Sequence, residues 1–137
     1  MLKFWFVIFT LFLTACTSLP AVKSLPMQTK NIRLFKLESM GQANLLSVQF
    51  EAEQWRWVQT DPLGSPKARV LLSKNGWQND GFIMPNQQAK QLFSAIAVAI
   101  NPYNPPFELN KDWQIQQNGT HFNITLPDGS VWKVDEL

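Results

Sequence analysis

The stretch Trp55-Arg56-Trp57-Val58-Gln59-Thr60-Asp61-Pro62-Leu63-Gly64-Ser65-Pro66-Lys67-Ala68-Arg69-Val70-Leu71-Leu72-Ser73-Lys74-Asn75-Gly76 decides the fold class. Trp55 and Trp57 fall on one face of an extended chain and Arg56 on the other. Ala68, Val70 and Leu72 repeat the same period of two, which is the pattern of strands with one buried face. Between the two runs, Asp61-Pro62-Leu63-Gly64 carries turn chemistry, and Asn75-Gly76 supplies the positive φ angles of a tight hairpin. Two antiparallel strands and the start of a third are therefore expected here.

Outward from this hairpin the period of two continues. Ile32 and Leu34; Leu46, Val48 and Phe50; Phe122, Ile124 and Leu126; and Trp132 and Val134 each alternate with mostly polar neighbours. Met40-Gly41, Asn118-Gly119 and Pro127-Asp128-Gly129 punctuate them. The reading predicts strands near 31–38, 44–51, 54–60, 67–73, 76–83, 112–117, 120–126 and 130–135, arranged as an antiparallel meander. One segment breaks the period. After Pro85 and a capping Asn86, residues 87–100 (QQAKQLFSAIAVAI) place Ala89, Leu92, Phe93, Ile96, Ala97 and Ile100 at helical spacing, until Pro102 ends the helix. Its second half is apolar nearly all round and is expected to be buried on more than one side. Asn101 to Phe107 (NPYNPPF) holds three prolines and reads as a rigid extended loop. The fold class expected is α+β, mostly β: a curved antiparallel sheet or half-open barrel with a helical lid.

The amino terminus has a different grammar. One early charge at Lys3, an apolar run from Phe4 to Leu13 and small residues before the single cysteine make an export signal. The run is shorter than the roughly 20 apolar residues that span a bilayer. Leu13-Thr14-Ala15-Cys16 resembles the bacterial lipobox, which implies cleavage before Cys16, a diacylglycerol on its thiol and acylation of the new amino terminus. Several acyl chains anchor a protein stably where one binds only marginally. Thr17 and Ser18 follow the cysteine with no aspartate, and resemblance to Gram-negative lipoproteins then implies sorting to the outer membrane, with the folded part facing the periplasm. The organisation expected is a signal peptide at 1–15, a lipidated, flexible tether at 16–30 (Pro, Ser, Thr and Lys without period) and one domain at 31–137.

Composition bounds the chemistry. The formal net charge is +2 over 137 residues, with Lys3 leaving in the signal, so there is no electrostatic footprint for nucleic acid. With one cysteine, no internal disulfide staples the fold, and stability must come from packing, for which six Trp and ten Phe supply area, less Trp5 and the four Phe that leave with the signal. His121 is the single histidine, so neither a zinc or haem site nor a nucleophile–histidine pair is expected. Leu63-Gly64-Ser65-Pro66 is not a nucleophile elbow. Glu51 and Glu53 share one face of a strand end and read as a solvated pair rather than as the carboxylates of a glycosidase. The Asn-x-Thr triplets at Asn118 and Asn123 belong to eukaryotic secretion and conflict with the lipobox. The chain reads as non-enzymatic, with no cofactor and no metal.

What remains is apolar surface. A curved sheet lined by Trp and aliphatic side chains under a hydrophobic helix can enclose a cavity for a lipid-like ligand. The same residues equally make a dry, packed core. Residues expected to face the interior are Trp55, Trp57, Leu92, Phe93, Ile96 and Ile100.

The segment from Trp57 to Pro66, followed by Ala68, Val70, Leu72 and Asn75-Gly76-Trp77, resembles the LolA/LolB family of periplasmic lipoprotein carriers. The stretch Asp61 to Pro102, with Asp80-Gly81-Phe82, Met84-Pro85 and Ala89-Lys90-Gln91-Leu92-Phe93, resembles a family of small Gram-negative outer-membrane lipoproteins of unassigned function, often encoded beside aryl polyene biosynthesis genes. These likenesses touch roughly residues 45–134. They imply a half-open barrel with a lid over an apolar cavity, and a passenger such as an acyl chain, a lipoprotein or an aryl polyene lipid. A periplasmic carrier or transporter would be the partner. The chain is shorter than the carriers, and one lid helix is visible where that fold uses several. The function expected is an outer-membrane-anchored lipoprotein that binds or hands over a hydrophobic passenger. The alternative is a packed structural or assembly module that docks a partner through a sheet edge.

Overall fold

A computed structural model describes residues 19–137; the expected signal segment and Cys16 lie outside the described residues. Eight strands run in chain order as β1 (Ile32–Ser39), β2 (Gln42–Phe50), β3 (Gln54–Thr60), β4 (Pro66–Ser73), β5 (Gly76–Asn79), β6 (Gln114–Asn118), β7 (His121–Thr125) and β8 (Val131–Glu136), with helix α1 (Gln87–Ala99) between β5 and β6. The mostly β, α+β class is as expected, and the alternating runs become strands close to the anticipated bounds. β5 stops short of residue 83: Gly81 takes φ 91, which turns the chain out of the ladder.

The sheet is wholly antiparallel, in the order β5-β4-β3-β2-β1-β8-β7-β6. It is not one meander. Two meanders, β1–β5 and β6–β8, join because β8 returns to pair with β1, setting Leu37 opposite Val134. Local turn chemistry specifies hairpins, whereas this seam comes from burial. β5 and β6 are the two edges, and the sheet is not closed among the described residues.

The face of β1 corrects the sequence reading. Ile32 and Leu34 are 52% and 38% exposed, whereas Phe35 and Leu37 are fully buried. The run Ile32-Arg33-Leu34-Phe35-Lys36-Leu37 is apolar on both phases, and register chooses between them: Phe35 sits opposite the buried Leu46. The inner face then carries Phe35, Leu37, Leu46, Val48, Trp55, Trp57, Ala68, Val70, Leu72, Phe122, Ile124 and Val134. Helix α1 starts at Asn86, whose side chain accepts from the Ala89 amide at 3.0 Å. It lies against both ends of the sheet. Phe93 packs on β3 and β5 side chains, while Gln88 reaches Asp128 in the β7–β8 turn. The sheet therefore wraps around the helix.

The segment expected to be a free tether is laid on the domain from Leu19 onwards. Val22 bridges Phe107 and the Lys23 amide donates to the Pro106 carbonyl at 2.7 Å. Val22 and Leu25 pack against the core. Among the described residues, no helix is long and apolar enough to cross a membrane.

Candidate functional site

The interior between α1 and the sheet is built on aromatic rings that alternate or helical spacing brings together. β3 points Trp55 and Trp57 inward, and the β4–β5 hairpin, turning at Gly76 with φ 98, places Trp77 beside Leu72 on the same face. Trp57 stacks on Phe93 of α1, with centroids 5.2 Å apart and planes 18° from parallel. Trp77 meets Trp57 edge-on at 5.4 Å and stacks on Phe107 at 6.0 Å. Such pairs add to burial, by about 0.5–1.5 kcal/mol each.

Of the six residues singled out from sequence, Trp57, Leu92, Phe93 and Ile96 are fully buried and form part of one core. Trp55, 2% exposed, belongs to the same core, its ring at 86° to Phe50 and 4.9 Å from it. Ile100 caps the helix, its amide donating to the Ile96 carbonyl at 3.0 Å while the Asn101 amide donates to the Val98 carbonyl at 3.1 Å, and is half-buried. Sequence reasoning gave no interior role to Trp77, Phe107, Gln91 or Ser94. For Trp77 the signal was present: it directly follows the Asn75-Gly76 turn, which sets it opposite Leu72. Phe107 follows three prolines without period and gave none.

Polar groups tie the helix to its surroundings. The Trp77 indole Nε1 donates to Ser94 Oγ at 3.0 Å, and Ser94 Oγ donates to the Lys90 carbonyl at 2.8 Å. Trp113 Nε1 donates to the Gln91 carbonyl at 3.3 Å. Gln88 Nε2 donates to Asp128 at 3.0 Å. Partial burial alone would raise the Asp128 pKa, but hydrogen bonds from Ser130 and Gln88 outweigh it and hold the carboxyl below its ordinary value. One group is left over. Among the described residues, Trp57 Nε1 is the one buried side-chain polar atom with no hydrogen-bond partner. A buried donor left unpaired costs about 1–3 kcal/mol.

Below this interior, a cleft of about 340 Å³ opens between residues 25–31 and the β2–β3 end, lined by Leu25, Pro26, Met27, Lys30, Phe50 and Trp55 among others. A smaller one, about 130 Å³, opens at the helix N-terminus beside Gln59, Leu92 and Trp132.

The groups weighed for catalysis are dispersed. His121 Nδ1 lies 2.5 Å from Asp135 Oδ1, both on the outer face of the sheet. Glu51 accepts from Gln54 Nε2 at 2.9 Å and sits 3.5 Å from Arg56, while Glu53 is exposed. Among the described residues, no three His, Cys, Asp or Glu side chains are gathered as metal ligands. No family model, curated protein or solved structure matches the chain.

Proposed function

We propose that the protein is a non-enzymatic lipoprotein, anchored through acyl chains on Cys16 at the periplasmic face of the outer membrane, that binds or hands over an acyl-chain or polyene passenger beneath α1. A LolA/LolB-like half-open barrel, with α1 as its lid, is the fold reading that goes with it. The observation that carries the proposal is the orphan Trp57 Nε1. It sits in the aromatic layer under α1, where the neighbouring Trp77 and Trp113 indoles each find an acceptor. An amphipathic passenger with a carbonyl or hydroxyl group would satisfy it.

The energetics are those of exchange. Apolar surface of α1 facing the sheet gains about 25 cal/mol per Å² on burial, and passenger methylenes replacing it gain the same. Lifting the helix then costs chiefly its few polar ties. No strand ladder has to break, because α1 is joined to the sheet by irregular segments 80–86 and 100–113. A carrier needs such a near-balance, since a passenger that is bound too tightly is never released.

The test is extraction of the full-length protein from the envelope in mild detergent, followed by organic extraction and mass spectrometry of bound lipid. A stoichiometric lipid or polyene supports the carrier; protein that carries none and takes up no added palmitate refutes it.

One observation favours the packed docking module. The concave face is filled by α1, and β6, with Gln114, Gln116 and Gln117 exposed, leaves its outer edge unpaired. An extended peptide could add there as a further strand. Crosslinking that joins β6 to a partner protein, in a preparation free of lipid, would establish this module instead.

A further inference from the structure

We infer that the cleft between the segment 22–31 and the β2–β3 end is a separate binding site for a single acyl chain bearing an acidic head, drawn from the bilayer. The inference rests on the carrier reading and adds to it the place where an anionic amphiphile enters.

Three observations support it. The floor is aromatic, Phe50 against Trp55 at 4.9 Å, and Leu25 and Pro26 form an apolar wall with the exposed Met27 at its rim. At about 340 Å³ it lies at the small end of ligand pockets, roughly 300–1,000 Å³, which suits one chain and not a whole phospholipid. The lip carries an exposed cation, Lys30. Lys30 makes no ion pair among the described residues, whereas Glu51, the one carboxylate lining the cleft, is engaged by Arg56 at 3.5 Å and by Gln54. The charge of Lys30 also acts on Glu136, but the direct fork to that carboxylate comes from Arg33, so the Lys30 ammonium keeps its hydrogen-bond donors for a head group; Glu53 stands in the same turn outside the lining. An anion is what this lip attracts.

Position supplies a further one. Residues 22–31 lead directly to Cys16, nine residues before Leu25, so an anchored chain keeps the cleft within roughly 30 Å of the bilayer at ~3.3 Å per residue. The wall is also connected to the lid. Gln28 Nε2 donates to Asn101 Oδ1 at 2.8 Å, and Asn101 Nδ2 donates to the Ala97 carbonyl at 2.8 Å in the last turn of α1. Filling the cleft pushes on the wall that holds the helix end.

The experiment uses full-length protein in phosphatidylcholine vesicles with a diazirine-bearing palmitate, photolysed and mapped by peptide mass spectrometry. Label is expected within residues 24–33 and 50–56, and Lys30→Glu, an exposed change, should cut it about tenfold with the melting temperature unchanged. Equal labelling of wild type and Lys30→Glu would overturn the inference. Label confined to Trp57 and α1 would also overturn it while leaving the carrier intact. No label anywhere would remove both.

Discussion

The guanidinium of Arg33 grips the carboxylate of Glu136 through two parallel hydrogen bonds of 2.7 and 2.6 Å, tying the first strand to the last. Those strands meet at the seam between the two meanders, and both side chains are mostly buried there. Charge-assisted forks of this kind are the strong class of hydrogen bond. Arg33 also lies over the Phe35 ring at 5.8 Å. A charged residue on the inner face of β1 is thus accommodated by a partner from the far end of the chain.

Glu136→Gln should cost about 1–3 kcal/mol at neutral pH. The two hydrogen bonds from Arg33 hold the Glu136 carboxyl below its ordinary 4.5, so the folded state binds that proton less readily than the unfolded chain. Its stabilisation is complete above that pH and fades as pH falls below it. Urea titrations across the acid range should show wild type losing this increment and Glu136→Gln lacking it. Parallel curves for the two proteins would refute the assignment.

Ser94→Ala removes the acceptor of the Trp77 indole and adds a second orphan donor to the interior. A loss of about 1–3 kcal/mol is expected. Hydrogen exchange should quicken in α1 before it does in β1 to β3, because the lost tie belongs to the helix. Uniform acceleration across the sheet would show that helix and sheet open as one unit.

Phe93→Ala and Ile100→Ala separate interior from rim. The first empties the stack on Trp57 and should cost about 3–5 kcal/mol; the second trims a half-buried cap and should cost less than about 2. Chemical denaturation decides it, and equal costs would mean that Ile100 belongs to the core.

Much of this fold is legible in the sequence where one phase of a strand is apolar and the other polar. Trp55-Arg56-Trp57 and Ala68-Arg69-Val70 leave no choice of face. Ile32 to Leu37 leaves two, and only the distant partners Leu46 and Val134 resolve it. The return of β8 to β1 is likewise non-local, and no turn signal announces it. Val22 and Leu25 are isolated apolar residues in a Pro-rich segment, so nothing periodic marks their docking. Five of the six interior candidates converge because helical spacing and strand alternation are strict there. The unpaired state of Trp57 Nε1 is a matter of what surrounds an atom, and a sequence does not carry that.

Trp57→Phe keeps a ring against Phe93 and removes the lone N–H, which makes it the sharpest test of the carrier reading. Lipid extracted from the full-length wild type and from Trp57→Phe, purified in parallel, should differ: wild type carries its passenger, and the variant, melting within a few degrees of it, carries about tenfold less. Equal loading would show that Trp57 Nε1 reads nothing on a passenger, and two empty proteins would contradict carriage itself.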